Sequence, residues 1–170
     1  MTVVFRAIHP SLEHYLRRQA PDAAEDLAAE SWLAVAKGLP DFQGGVDDFR
    51  AWLFTIAHRR MVDHYRSLAR RPRSVLRGED DLTGTRARTD PVPSAEVTAI
   101  EGLSTDDAID ALVRDLPSAQ AQIVLLRLVA DLSVDHVAEI TGRSPGSVRV
   151  LQHRALRNLA KTWEQEGVTR

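Results

Sequence analysis

The 170-residue chain contains no cysteine, which excludes disulfide bonds, thiolate metal ligands and thiol redox switches within it. Aromatic residues are scarce, at 5%, and no stretch is apolar enough to span a bilayer. The N-terminal segment lacks the long apolar core and the small-residue cleavage site of a signal peptide. From these absences we expect a cytoplasmic protein without membrane insertion.

Neither sign of charge dominates, because 22 Lys and Arg stand against 24 Asp and Glu, for a formal net charge of -2. The distribution along the chain is uneven. Acidic residues gather in 22–30, 41–48 and 79–110, whereas arginines gather in 50–77 and again in 143–157. Two basic segments separated by an acidic one predict two surfaces that face nucleic acid.

Hydrophobic periodicity predicts helices along the N-terminal part of the chain. The first helix ends before Pro21, and the second begins with Asp22 as its N-cap. A glycine-containing loop leads to a third helix from Phe49 to about Arg70, capped by one of the two aspartates just before it, Asp47 or Asp48. The second half of this helix is basic.

The segment 74–103 is rich in Gly, Thr, Pro, Ser and acids, and it predicts a flexible acidic linker. It divides the chain into helical domains at 1–73 and 104–170. In the second domain, Ser104 opens a helix with a capping-box pattern, and Ser118 caps a densely apolar helix. No strand pattern with convincing turn chemistry occurs, so we predict an all-α fold.

A helix-turn-helix is predicted between Ser133 and Lys161. Ser133 is placed to cap the first helix, and Gly142 suits its C-terminus because glycine adopts left-handed backbone angles without penalty. Ser144 then caps the second helix, with Pro145 at its first position. A projection at about 100° per residue gives this helix an apolar packing face and an opposite polar face. The polar face carries the candidates for contact with a DNA major groove, which are Ser147, Arg149, Val150, His153, Arg154 and Arg157.

These patterns leave other readings open. The polar face is also compatible with a solvated helix surface, and the chain with a stand-alone dimeric helix-turn-helix regulator, although no apolar seam for a dimer is evident. An enzyme is disfavoured, because the six histidines are scattered and no nucleophile or phosphate-binding motif occurs. We therefore expect no catalytic residue, no bound metal and no cofactor.

Three motifs in order resemble a known family, the bacterial sigma factors of the extracytoplasmic-function group, which contain only the second and fourth sigma domains. The segment DAAEDLAAESWLAV is similar to its D-A-E-D-L-x-Q-E-x-F-L pattern, and FRAWLFTIAHRRMVDHYR to F-R-x-W-L-x-x-I-A-x-N-x-x-x-D-x-x-R. The stretch 116–159 resembles the fourth domain throughout. The resemblance covers most of the chain and implies an alternative sigma factor rather than an enzyme.

The resemblance also implies partners. A free monomer would bind core RNA polymerase through the β′ clamp helices and the β flap, would then contact promoter DNA, and would be held inactive by an anti-sigma factor. The polymerase-binding residues would lie on the second helix. For Leu27 and Trp32, burial in the core is an equal alternative to a polymerase contact. These residues are Asp22, Glu25, Asp26, Leu27, Glu30 and Trp32.

For DNA, the resemblance implies that the loop after the second helix captures a flipped base of the -10 element. The basic half of the third helix would line the opening duplex, with Trp52 and Ile56 in the core. The implied loop residues are Gln43, Gly44, Gly45, Val46 and Asp47. The implied helix residues are His58, Arg59, Arg60, His64 and Arg66.

The chain departs from the family pattern at two positions that affect DNA reading. Arg59 stands where the family usually has Asn, so a phosphate contact could replace a base contact there. In the recognition helix, Arg149-Val150-Leu151-Gln152 stands where the family usually has K-S-R-L. The leucine is thus shifted by one position, and Gln152 lies near the edge of the packing face. We therefore favour Arg149, His153 and Arg154 over Gln152 as contacts to the -35 element.

Overall fold

The computed structural model describes residues 2–70, 109, 111 and 113–165. All regular elements within these ranges are helical, and no strand occurs among them, so the predicted all-α class is confirmed. No helix in this described part is both long and apolar enough to cross a membrane. The predicted linker and the capping box at Ser104 fall outside the described residues.

Three helices form the N-terminal group: α1 (Thr2–Gln19), α2 (Ala24–Gly38) and α3 (Val46–Arg70). Each packs on the other two, and their apolar faces meet around Leu12, Leu53 and Phe54, which are fully buried. Asp22 lies in the short 3-10 turn Pro21–Ala23 rather than at the N-cap of α2, which is Ala23 and makes no side-chain cap hydrogen bond. The predicted cap at Asp22 is therefore wrong.

The start of α3 also differs from the prediction by a few residues. The helix begins at Val46, so neither Asp47 nor Asp48 is its N-cap. Instead, Asp48 lies one turn inside, and its Oδ2 accepts a hydrogen bond from the Gly45 backbone N–H at 2.8 Å. This is the reciprocal half of a capping box, in which an acidic side chain in the first turn satisfies the amide at the cap position.

The C-terminal group consists of α4 (Ser118–Val124), a π-helical turn (Leu125–Val129), α5 (Val134–Thr141) and α6 (Pro145–Gln165). The π-helical turn was not predicted, and Ser118 makes no cap hydrogen bond, because the N-cap position belongs to Pro117. The caps of the helix-turn-helix are as predicted. Ser133 Oγ accepts from His136 N–H at 3.1 Å, and Ser144 Oγ accepts from Ser147 N–H at 3.2 Å.

Gly142 ends α5 in the left-handed conformation, with φ 65°. Its backbone N–H donates to carbonyls of the last turn of the helix, as expected for a glycine C-cap. The turn to Pro145 is consequently tight, and α6 follows directly. The sequence pattern therefore predicted the helix-turn-helix and its boundaries correctly.

The two helical groups touch where α1 packs on the π-helical turn and α3 packs on α5. Gln122 of α4 also reaches His58 of α3. We call this the interdomain contact. Arg18 donates hydrogen bonds to the carbonyls of Val113 and Arg114 at 3.3 Å. Arg50 pairs with Asp131 at 3.2 Å, so polar groups from both domains close the contact.

Candidate nucleic-acid interface

The recognition helix α6 has two distinct faces. Val148 and Ala155 are fully buried, and Leu159 is nearly so. The face turned away from the core bears the residues predicted to contact DNA. Of these, Arg149, Val150, His153, Arg154 and Arg157 are exposed, and Ser147 is half-buried.

This exposed face supplies guanidinium groups and an imidazole, and within the described part of the chain no acid forms an ion pair with them. Val150 is 48% exposed between them. Guanidinium forks suit guanine edges and phosphates, and a small apolar side chain suits a thymine methyl group. The face therefore has the chemistry that major-groove reading requires.

A second candidate surface lies at the loop between α2 and α3. Val4 of α1, Leu39, Phe42 and Phe49 line an apolar cavity of about 290 Å³ together with loop residues 44–46. The predicted loop residues Gln43 and Asp47 flank it and are exposed. Three of the five loop residues predicted to capture a base thus line one cavity, at the small end of ligand pockets.

The shape of this cavity depends on aromatic rings and on one glycine. Phe42 stacks on Trp52, with centroids 5.0 Å apart, and meets Phe49 edge-on at 5.6 Å. Gly44 has φ +153°, and a Cβ there would lie 2.8 Å from the Asp48 Cβ and 3.1 Å from the Phe42 ring. A larger residue at position 44 would therefore displace the wall of the cavity.

The basic half of α3 does not present all its predicted residues to solvent. Arg59 and Arg66 are exposed, and His64 is half-buried. Arg60 is half-buried and pairs with Glu30 of α2 at 2.7 Å, so its charge is partly committed within the domain.

His58 is half-buried and has partners within the protein. Its Nδ1 lies 3.1 Å from the hydroxyl of Tyr15, on α1 of the same helical group. Across the interdomain contact, the side-chain amide of Gln122 lies 3.5 Å from the same nitrogen. Two donors directed at Nδ1 are satisfied by a neutral ring protonated at Nε2. Burial lowers the pKa of His58 below its usual value, and burial raises the pKa of Tyr15. In this arrangement the ring nitrogen of His58 is engaged within the protein, and its role in DNA binding stays a prediction.

The acidic side of α2 is exposed, as a protein-binding surface requires. Asp22, Glu25, Asp26 and Glu30 all face solvent. Leu27, in contrast, is 4% exposed, so its side chain belongs to the core and offers no contact surface. Trp32 is half-buried, and its Nε1 donates to His9 Nδ1 at 3.2 Å.

Several functional candidates could not be found from the sequence pattern. Leu33 is 63% exposed on α2, in a groove with Glu30, Ala34, Lys37 and Arg60, although its helical spacing resembles that of a core residue. Arg127 reaches Gln152 of α6 at 3.3 Å. The exposure of Leu33 and the hydrogen bond from Arg127 to Gln152 both depend on how helices distant in sequence are rotated against each other. The residues adjacent in sequence do not encode that rotation.

The fold and these surfaces define a helical DNA-binding protein of the helix-turn-helix class. Comparison with known proteins narrows this class. The family described as Sigma-70 region 2 matches residues 4–71, and Sigma-70, region 4 matches residues 99–159. A sigma factor of Streptomyces griseus, ShbA, is 34% identical over 166 residues, covering 93% of this chain and 84% of that protein.

Two further comparisons agree with this result. The sigma factor BldN of Streptomyces coelicolor is 35% identical over 147 residues, covering 86% of this chain and 53% of that longer protein. The structure of the sigma factor RpoE from Bartonella quintana, solved in complex with the anti-sigma factor NepR, has a TM-score of 0.66 at 20% identity. It covers 98% of this chain and 96% of that one, a likeness of fold.

The chain belongs to the extracytoplasmic-function group of RNA polymerase sigma factors, in the sigma-70 family. It is an alternative sigma factor that directs transcription initiation, a DNA-binding initiation subunit rather than an enzyme.

Proposed function

We propose that this sigma factor reads promoters with two separate surfaces. The domain at 104–170 contacts the -35 element through the exposed face of α6, with Arg149, His153 and Arg154 as principal contacts. The domain at 1–73 captures a -10 base, and 74–103 links the two. The observation that carries the proposal is the pairing of an exposed basic recognition helix with a separate aromatic-lined loop cavity.

The loop cavity supports base capture on physical grounds. A base leaves the stack at a cost of a few kcal/mol and is then held by stacking on aromatic or apolar side chains. Phe42, Phe49 and Val4 provide such walls. Arg59 and Arg66 are exposed farther along α3 than Phe49, which lines the cavity. They would neutralise phosphates of the separated strand. His58 would join them only after the interdomain contact opens.

Core RNA polymerase would bind the acidic side of α2. The proposed contacts are Asp22, Glu25, Asp26 and Glu30, with Leu33 in place of Leu27 as the apolar member. An exposed leucine within a ring of charged residues is typical of a protein interface, in which an apolar centre is surrounded by a polar rim. The β flap and an anti-sigma factor are further proposed partners. We also propose that the chain is cytoplasmic and is monomeric when free.

In vitro transcription with core polymerase on a genomic DNA library, followed by mapping of start sites, tests this function. Added protein should create new start sites that share -35 and -10 sequences. The alternative, a stand-alone dimeric regulator, predicts instead a stable homodimer that binds a palindrome tightly without polymerase. Absence of new start sites would remove the leading proposal.

A further inference from the structure

Arg127 is the one residue that ties the π-helical turn to the recognition helix through a described side-chain hydrogen bond. Its Nε donates to Gln152 Oε1 at 3.3 Å. Its Nη1 donates to the Leu132 carbonyl, just before the Ser133 cap of α5. One half-buried guanidinium therefore joins three consecutive parts of the domain, because its planar fork offers donors in two directions at once.

The π-helical turn accounts for the position of this guanidinium. Ala130 N–H bonds to the Leu125 carbonyl at 3.0 Å, and Leu132 N–H bonds to the Leu126 carbonyl at 3.1 Å, so the turn is wider than in an α-helix. Leu128, within this turn, is 56% exposed. Such single π-turns occur frequently at functional sites.

Gln152 occupies the border between the two faces of α6. Its neighbour Leu151 is half-buried on the packing side, and His153 is exposed on the DNA side. A tether at this border restrains rotation of α6 about its own axis, in addition to the packing of Val148 and Ala155 in the core. With side chains about 5–6 Å from the axis, a rotation of about 10° moves each tip by roughly 1 Å. That displacement is larger than the whole 0.5 Å range of normal N–H···O distances, roughly 2.7–3.2 Å.

We propose that Arg127 is a positioning residue for -35 recognition. It fixes the rotation of α6 through Gln152, whose side-chain oxygen is an anchor within the protein and not a base-reading group. Removing the tether lets Arg149 and His153 shift relative to base edges, so sequence preference at the -35 element relaxes. This inference rests on the proposed reading of that element by α6.

The test is transcription with core polymerase from a pool of promoters that share one -10 element and are randomised at the -35 element. Preference is scored as the ratio of favoured to disfavoured sequences within one reaction. This ratio does not depend on the fraction of active protein, so a loss of stability alone leaves it unchanged. Arg127→Met should lower the ratio by about tenfold, the effect of losing one good base contact.

Three further variants separate positioning from direct reading. Gln152→Leu should reproduce Arg127→Met, and the double variant should be no worse than either single one, because both remove the same tether. Gln152→Glu keeps an acceptor for Arg127 and should retain the wild-type favoured sequences. The matched control Arg114→Met removes an exposed arginine outside this contact and should leave the ratio unchanged.

The opposite results would overturn the inference. A Gln152→Glu protein that favours different bases would make Gln152 a base reader, and an Arg127→Met protein with full preference would make the tether irrelevant. If Arg127→Met does not fold, Gln152→Leu carries the same test. Failure of the wild-type protein to produce start sites would instead remove the proposed function itself.

Discussion

Gly44 is the residue on which the loop cavity most directly depends. Its backbone is in a region that side chains rarely adopt, and an added Cβ would clash with Asp48 and approach Phe42. Gly44→Ala should cost about 1–3 kcal/mol of local strain and should reduce promoter opening as the cavity wall moves. Reactivity of the -10 region to a single-strand-specific probe, in the polymerase complex, measures that opening.

Gly45 provides the matched control for this change. An added Cβ there would meet only Asp48 Oδ2, at 3.7 Å, and the backbone N–H that bonds Asp48 remains available. Gly45→Ala should therefore open promoters at nearly the wild-type level. Equal defects in the two variants would show that the loop needs flexibility rather than the specific conformation of Gly44.

His58 makes the stability of the free protein depend on pH. Burial holds its folded-state pKa below the ordinary value, so the unfolded or opened chain binds the proton more readily. Neutral His58 makes its full contribution to the free energy of unfolding above about pH 6.5, the ordinary pKa of a histidine in the unfolded chain. This contribution is lost as the pH falls from there toward the lowered folded pKa.

The expected result is a urea midpoint that falls between pH 7.5 and 5.5, with a smaller fall in His58→Asn. His64→Asn, on the same helix but outside the interdomain contact, is the matched control for the loss of a histidine from α3. An unchanged pH dependence in His58→Asn would assign the acid sensitivity to another group.

At the scale of the element, the N-terminus of α6 depends on one hydroxyl. Ser144→Ala removes the acceptor for Ser147 N–H and should cost about 1 kcal/mol. Ser147 lies among the predicted DNA contacts, so the -35 contribution to transcription should fall as well. Ser118→Ala is the control, since Ser118 begins α4 without a cap hydrogen bond. Thermal unfolding of both variants distinguishes the lost cap from a general effect of losing a serine.

The helix-turn-helix shows how much of an element sequence can predict. Ser133, Gly142 and Ser144 act through neighbours three or four residues away, so their chemistry is visible in the chain itself. The start of α3 was misplaced because Asp48 satisfies the amide of Gly45 from inside the helix, a role that resembles an N-cap in sequence. The π-helical turn was missed, since 125–129 has the composition of an ordinary apolar helix.

For the candidate nucleic-acid interface, the sequence predicts which face of α6 is exposed and where the loop lies. The exposed face of α6 follows from helical periodicity, and the loop at 43–47 follows from its glycines and from the family resemblance. The burial of Leu27, the exposure of Leu33 and the position of His58 do not follow. Each is decided by a partner helix far away in sequence, as with His58 and Gln122, which are separated by 64 positions.

For the whole molecule, the interdomain contact conflicts with simultaneous reading of two promoter elements. Centres about 25 base pairs apart are separated by about 85 Å of B-form DNA, at 3.4 Å per base pair. Arg50 and Asp131 are 3.2 Å apart and hold the two helical groups in contact. On the two-surface proposal, we expect the groups to separate when both elements are bound.

This expected separation predicts a measurable change of distance. Fluorophores attached at Lys37 and Arg143, each replaced by cysteine in a chain with no other thiol, should show high energy transfer in the free protein. Transfer should fall when core polymerase and promoter are added. High transfer in the complete transcription complex would contradict the two-surface proposal.

The interdomain contact also bears on apparent affinity. A ligand that binds only the open form has its apparent Kd raised by the inverse of the open fraction. The contacts of Arg18, Arg50 and Gln122 favour the closed form. Each 1.4 kcal/mol that they contribute together reduces the open fraction about tenfold. On the proposed function, promoter occupancy depends partly on the equilibrium between closed and open forms of the free protein. Core polymerase that binds only the open form should therefore raise promoter occupancy.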